Sequence, residues 1–222
     1  MKILKYFFLV LFVVNCGYFS SKYIHFNNLP MPDGPFSVGS STFYWIDQSR
    51  EEWYLDSYEE KRRLMAQIWY PAVKPENQKP MFYIERMDER VKYISNELKI
   101  PKYLLTNINN IKSNSFFNAN SIEGSFPVII FSHGLGGMRT QNTIQFEALA
   151  SRGYVVISTD HMYDANISLY PDNNFAVNLS NTDNLNGSEW YRIRNEQLEY
   201  RTGDISFLID KLYEINDGSI ET

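Results

Sequence analysis

The chain has 222 residues, 44% of them hydrophobic and 21% charged, and a formal net charge of −5 at pH 7. That length suits one domain or part of a larger one, and that composition supports a buried core, so wholesale disorder is excluded. A nucleic-acid partner is excluded as well, because the only short basic run is Lys61-Arg62-Arg63, which reads as a solvated approach to a strand. Tyr and Phe are abundant. That fits a lipid-handling surface and, equally, a core of large residues with surface tyrosines.

Lys2 and Lys5 precede an apolar run from Tyr6 to Val14. The run is too short to cross a bilayer, which takes about 20 residues, but it fits the apolar region of an export signal. No small-x-small cleavage pattern follows. Residues 1–22 are therefore expected to be a signal peptide or an N-terminal anchor, which implies an exported protein, periplasmic or secreted, or one tethered to a membrane. Cys16 follows Asn15, a poor match to a lipidation site. As the only cysteine it excludes an intrachain disulfide and offers no metal site. No metal or cofactor is expected.

Residues 30–222 are expected to form one partial domain. His25 to Pro35 reads as an irregular arm, followed by a β-prone segment from Phe36 to Trp45 and a charged loop from Asp47 to Glu60. Leu64 to Tyr70 reads as a second strand, stopped by Pro71, and the two strands are expected to pair antiparallel. Between Pro71 and Ser125 the pattern shows one helix, Ile84 to Lys99, with Ile84, Met87, Val91, Ile94 and Leu98 at spacings of three and four, and otherwise loop. Phe126 to Ser132 is continuously apolar, as in a strand of a parallel sheet. It runs into His133-Gly-Leu-Gly-Gly137, then a helix from Thr140 to Ser151 with Ile144, Phe146, Leu149 and Ala150 as apolar members. A further strand from Tyr154 to Thr159 completes a βαβ unit. A polar excursion from Met162 to Ser188 leads to a helix from Glu189 to Asn216, with Ile205, Leu208, Ile209 and Leu212 as its apolar face.

The chemistry points to Ser132-His-Gly-Leu-Gly-Gly137. Glycines at the carboxyl end of a buried strand let the chain turn sharply and aim free N–H groups into the crevice where ligands gather. The spacing fits neither a Walker phosphate loop nor a dinucleotide site. A tight strand-to-helix turn without catalytic meaning explains the same glycines.

Phe126 to His161, reading FPVIIFSHGLGGMRTQNTIQFEALASRGYVVISTDH, resembles the oxyanion-loop region of the platelet-activating-factor acetylhydrolases and their bacterial relatives. Pro35-Phe-Ser-Val-Gly39, Gln67-Ile-Trp-Tyr-Pro71 and Arg201 to Leu212, with Asp204 and Phe207-Leu208, resemble further pieces of that family in the same order. The resemblance implies an α/β-hydrolase fold and a metal-free serine hydrolase acting on short or oxidised acyl esters of phospholipids. It also implies an oxyanion loop at Gly134 and Gly136, with the backbone N–H of Leu135 as one oxyanion donor. The partners it implies are a lipid or small ester substrate and a membrane surface.

The chain departs from the family pattern at the nucleophile, because no G-x-S-x-G occurs in it. Ser132, His133 and Asp160 make an implausible substitute triad, since adjacent strand residues point to opposite faces. His133 is expected to orient the loop, His161 to sit at a strand end near the site rim, and His25 to be inert. The expectation is thus the amino-terminal portion of an esterase, ending before the nucleophile elbow and inactive by itself. Two alternatives stand beside it: a non-catalytic, membrane-associated lipid-binding protein, and an esterase of the dienelactone-hydrolase or cutinase type.

Overall fold

A computed structural model describes residues 29–54, 60–99, 101–102, 105, 110–179 and 185–219. The leader, Cys16 and His25 lie outside the described residues. The chain divides into two compact units, residues 1–30 with 82–113, and residues 31–81 with 114–222.

The larger unit is built on a five-stranded sheet. β1 (Ser37–Glu51) and β2 (Lys61–Ala72) pair antiparallel from Ser37 opposite Ala72 to Asp47 opposite Arg62. Each is longer than the hydrophobic pattern predicts. β2 continues through Pro71 because its ladder with β5 (Val155–Asp160) runs only from Met65 to Trp69; beyond that ladder a residue without an N–H is tolerated. β3 (Ser115–Phe117) lies parallel to β1, and β4 (Val128–Ser132) lies parallel to β5, giving the order β3-β1-β2-β5-β4. β3 falls in a stretch expected to be loop. What fixes it is a side chain distant in sequence: the buried Glu147 carboxylate accepts the Asn114 N–H at 2.6 Å and the Ser115 hydroxyl at 2.6 Å.

Period-two alternation sorts the sheet residues between two faces. On one face Val38, Trp69, Val156, Ile129 and Phe131 pack against Phe146, Leu149 and Ala150 of α2 (Thr143–Ala150). On the other, Ala66, Ile68, Ile157, Ile130 and Val155 pack against Ile205, Leu208, Leu212 and Ile215 of α3 (Gly187–Asn216). Ile144 and Ile209, expected on the apolar faces of these helices, are 44% and 38% exposed. β4 is an edge strand with Val128 49% exposed, which replaces the two-sided burial expected from its apolar run. The excursion after β5 carries an unanticipated hairpin, β6 (Ile167–Leu169) with β7 (Phe175–Val177), whose Ile167 and Leu169 are buried.

The smaller unit holds α1 (Met87–Leu98), with Met87 and Val91 buried, and a bridge between Phe82 and Lys112. Among the described residues no helix is long and apolar enough to cross a membrane.

Candidate active site

β4 and β5 run parallel, so their carboxyl ends bring the Ser132–Gly137 turn and the Asp160-His161 corner together at one rim of the sheet. The turn is closed by the Gly137 N–H donating to the Gly134 carbonyl at 2.9 Å. Gly136 has φ of +70°, which with that hydrogen bond makes a type II turn with Leu135 and Gly136 at its centre. A side chain at Gly136 would be strained, and a Cβ at Gly137 would lie 2.2 Å from the Gln141 side chain. A Cβ at Gly134 meets nothing within 4 Å, so the space over the turn is open.

The direction of the Leu135 N–H follows from planarity. In a trans peptide the C=O and the next N–H point opposite ways. The Gly134 carbonyl accepts from Gly137 and from the His133 Nδ1, the latter at 2.6 Å, so it is held toward the loop interior. The Leu135 N–H is therefore turned outward. Among the described residues it has no acceptor, and Leu135 is 45% exposed. The Gly136 N–H, by contrast, donates to the Asp164 carbonyl at 2.8 Å, which ties the turn to the chain after β5.

His133 is fully buried and its tautomer is set by its partners. Nε2 accepts the His161 N–H at 3.0 Å, so the proton sits on Nδ1, where it meets the Gly134 carbonyl. Burial, with His161 close by, pushes its pKa down to about 4, so the ring is neutral near pH 7. Asp160 is not its partner. The Asp160 carboxylate takes the Arg139 N–H and guanidinium at 2.6 and 2.5 Å, so Ser132, His133 and Asp160 are not brought together as a triad.

A different line is formed. The His161 Nδ1 donates to Asp204 at 2.8 Å, leaving Nε2 to accept the Ser132 hydroxyl at 2.8 Å. This has the connectivity of a nucleophile, base and acid. Its electrostatics oppose that role. Asp204 is fully buried but already takes two bonds from Arg62, at 2.7 and 3.0 Å, and one from Arg50 at 2.9 Å. Burial raises its pKa, yet Arg62 and the His161 hydrogen bond outweigh this and hold the carboxyl well below the usual range. For His161 burial wins over the Asp204 hydrogen bond, with Arg201 and Arg62 adding repulsion, and the imidazole is less basic than normal. A less basic imidazole takes the Ser132 proton less readily. The line also braces the rim of β4, the rim of β5 and α3 together.

Arg62 corrects a reading from the sequence. It is no solvated residue: it is 1% exposed and bridges Glu52, at 2.6 Å, to Asp204. The reason is that β2 is central in the sheet, so Arg62 lies beneath α3 and must be compensated there. His161 is buried as well, one residue beyond β5. The signal that pattern reading missed is in α3. Gln197, Arg201, Asp204 and Leu208 follow each other at spacings of four, three and four, and Gln197, Asp204 and Leu208 are buried, so the helix's inward stripe is polar where it meets the site. Among the described residues no group of His, Cys, Asp and Glu is arranged to hold a metal.

Fold and turn together define an α/β-hydrolase-like protein. The larger architecture matches the ferulic acid esterase from Streptomyces cinnamoneus with a TM-score of 0.64 at 24% identity, over 83% of this chain and 48% of that one. A family model described as "Platelet-activating factor acetylhydrolase, isoform II" matches residues 23–222, and the chain belongs to that family. Over 100 residues it is 34% identical to the platelet-activating factor acetylhydrolase of Bos taurus and 30% identical to that of Canis lupus familiaris. Each of those matches covers 42% of this chain and 22% of the relative, so the chain spans a minor part of the curated relatives.

Proposed function

We propose that residues 30–222 supply the carbonyl-binding side of a serine-type carboxylic ester hydrolase acting on short or oxidised acyl esters of phospholipids. The observation that carries this is the outward Leu135 N–H, which has no acceptor among the described residues, beside the open space at Gly134 on the carboxyl rim of the sheet. During ester cleavage the carbonyl oxygen gains negative charge as the carbon becomes tetrahedral. A fixed N–H aimed at that oxygen stabilises the transition state more than the neutral ester, by about 3–4 kcal/mol where single donors have been deleted. His133 keeps the donor aimed, and does so as a neutral ring that brings no charge of its own.

The nucleophile comes from elsewhere in this reading. With no G-x-S-x-G in the chain, the covalent step in this reading takes its serine and base from polypeptide outside residues 1–222. Residues 1–222 alone are then expected to bind a lipid ester without cleaving it, and residues 1–22 to direct export or anchor the chain. The same missing motif favours a second reading, a lipid-binding member of the family that has lost catalysis.

Equilibrium binding of a dihexanoyl phospholipid, with acid release followed in the same sample, tests the assignment. Saturable binding with no released hexanoate is expected. Acid release that disappears in Ser132→Ala would show that the chain carries its own nucleophile. No binding at all would remove the lipid-ester assignment.

A further inference from the structure

Arg201 sits beside the turn, on the polar part of the inward stripe of α3. Its Nη2 donates to the Ser132 hydroxyl at 2.9 Å and to the His133 carbonyl. Among the described residues it has no carboxylate within ion-pair distance, and its Nε and Nη1 carry no hydrogen bond. The nearest acids are committed to others. Asp204 is taken by Arg62, Arg50 and His161, and the Asp164 carboxylate accepts from the Tyr54 hydroxyl at 2.6 Å and from Gln197 at 3.2 Å. Arg62, by comparison, is clamped between Glu52 and Asp204. Burial lowers the Arg201 pKa, with Asp164, Asp204 and Tyr54 only partly restoring it, as expected of a cation short of a counter-charge.

A guanidinium is a fork suited to two oxygens of a carboxylate or phosphate. Here Nη2 is used to hold the turn, which leaves the charge of the group and its Nη1 N–H beside the segment that carries Leu135. Only the His133-Gly134 segment separates the anchored carbonyl from that N–H. In a glycerophospholipid the central ester and the phosphate are carried on adjacent glycerol carbons. We propose that Arg201 is the phosphate-recognition residue of this site, offering its charge and its free Nη1 N–H to the phosphodiester of a phospholipid whose ester carbonyl faces Leu135. It selects phosphate-bearing esters over neutral glycerides. The inference rests on the ester-binding reading of the turn and adds the residue that chooses the substrate class.

The test measures binding of three probes to the full chain and to Arg201→Gln and Arg201→Lys: dihexanoyl glycerophosphocholine, the neutral ester glycerol monobutyrate, and inorganic phosphate. Gln retains a donor for the His133 carbonyl, and cooperative unfolding at an unchanged denaturant midpoint verifies its fold. Arg201→Gln is expected to weaken the phospholipid at least about tenfold, the usual scale of one charge-assisted pair, and to change the neutral ester less than about twofold. Lys, a point charge without the fork, is expected to fall between. Equal phospholipid affinity in wild type and Arg201→Gln overturns the proposal. So does inorganic phosphate binding as tightly as the phospholipid, which would make Arg201 a general anion site. If the neutral ester fails to bind while the phospholipid keeps its dependence on Arg201, the phosphate site stands and the ester reading of the turn fails.

Discussion

His133 holds the carbonyl of the residue that follows it: its Nδ1 lies 2.6 Å from the Gly134 oxygen, while its Nε2 accepts the His161 N–H at 3.0 Å. One buried ring thereby joins two strand ends and sets the direction of the Leu135 N–H. Replacing it with Asn, whose amide can still donate to Gly134, is expected to cost about 1–2 kcal/mol of stability, and replacing it with Phe about 2–3 kcal/mol, because the buried His161 N–H then loses its acceptor and the Gly134 carbonyl keeps only the Gly137 N–H. Urea unfolding of the three proteins measures this. Equal stability of the Phe variant would mean that the ring is not a structural link.

The same residue makes stability pH-dependent. With a folded pKa of about 4 against an ordinary 6.5, the unfolded chain binds a proton that the folded chain refuses. Stability from His133 is complete above about pH 6.5 and is lost as pH falls toward about 4. The loss is about 3 kcal/mol for a shift of that size. His161, also depressed, adds in the same direction. The slope of unfolding free energy against pH over this window should shrink in His133→Asn. An unchanged slope would remove the assignment to His133.

Ser132 is bonded to a histidine and yet is expected to be unreactive. Its hydroxyl donates to His161 Nε2 at 2.8 Å, but protonating that imidazole would place a cation near Arg62 and Arg201. Exposure to a fluorophosphonate and mass mapping should leave Ser132 unmodified at reagent levels that label ordinary serine esterases. A stoichiometric adduct at Ser132 that vanishes in His161→Ala would show the brace to be a working triad.

Arg62 bridges the buried carboxylates of Glu52 and Asp204, so removing it leaves Glu52 with only backbone N–H donors and Asp204 with only Arg50 and His161. Arg62→Met is expected to destabilise by about 3–5 kcal/mol even though methionine fills much of the volume. Thermal or urea unfolding checks this; a loss under about 1 kcal/mol would show that Arg50 and His161 suffice for Asp204.

Much of the frame was legible because it is written locally. Phe126 to His161 shows a strand, a glycine turn, a helix and a strand through runs and periods that neighbouring residues decide, and the structure returns β4, the turn, α2 and β5 there. What escaped depends on partners far apart in sequence. β3 exists because Glu147 reaches Asn114 and Ser115, and nothing in Ser115-Phe-Phe117 announces it. Arg62 looked solvated because a basic run usually is, and its burial follows from Glu52 on one side and Asp204, 142 residues later, on the other. A donor at Leu135 is implied by the family resemblance, while only the glycine turn itself was readable from the residues. The aim of that donor was not, since it is set by a histidine tautomer fixed from another strand.

The decisive substitution is Leu135→Pro, since proline suits that position of a type II turn and removes the N–H, with Leu135→Ala as the control for the lost side chain. The measurement is the amide NMR spectrum of the chain titrated with a butylphosphonate monoester, a tetrahedral anion that mimics the reacting ester. A downfield shift of the Leu135 amide in the wild type is expected, with affinity at least about tenfold weaker in Leu135→Pro but not in Leu135→Ala. Undiminished binding by the proline variant, or a Leu135 amide that does not respond, would contradict the account.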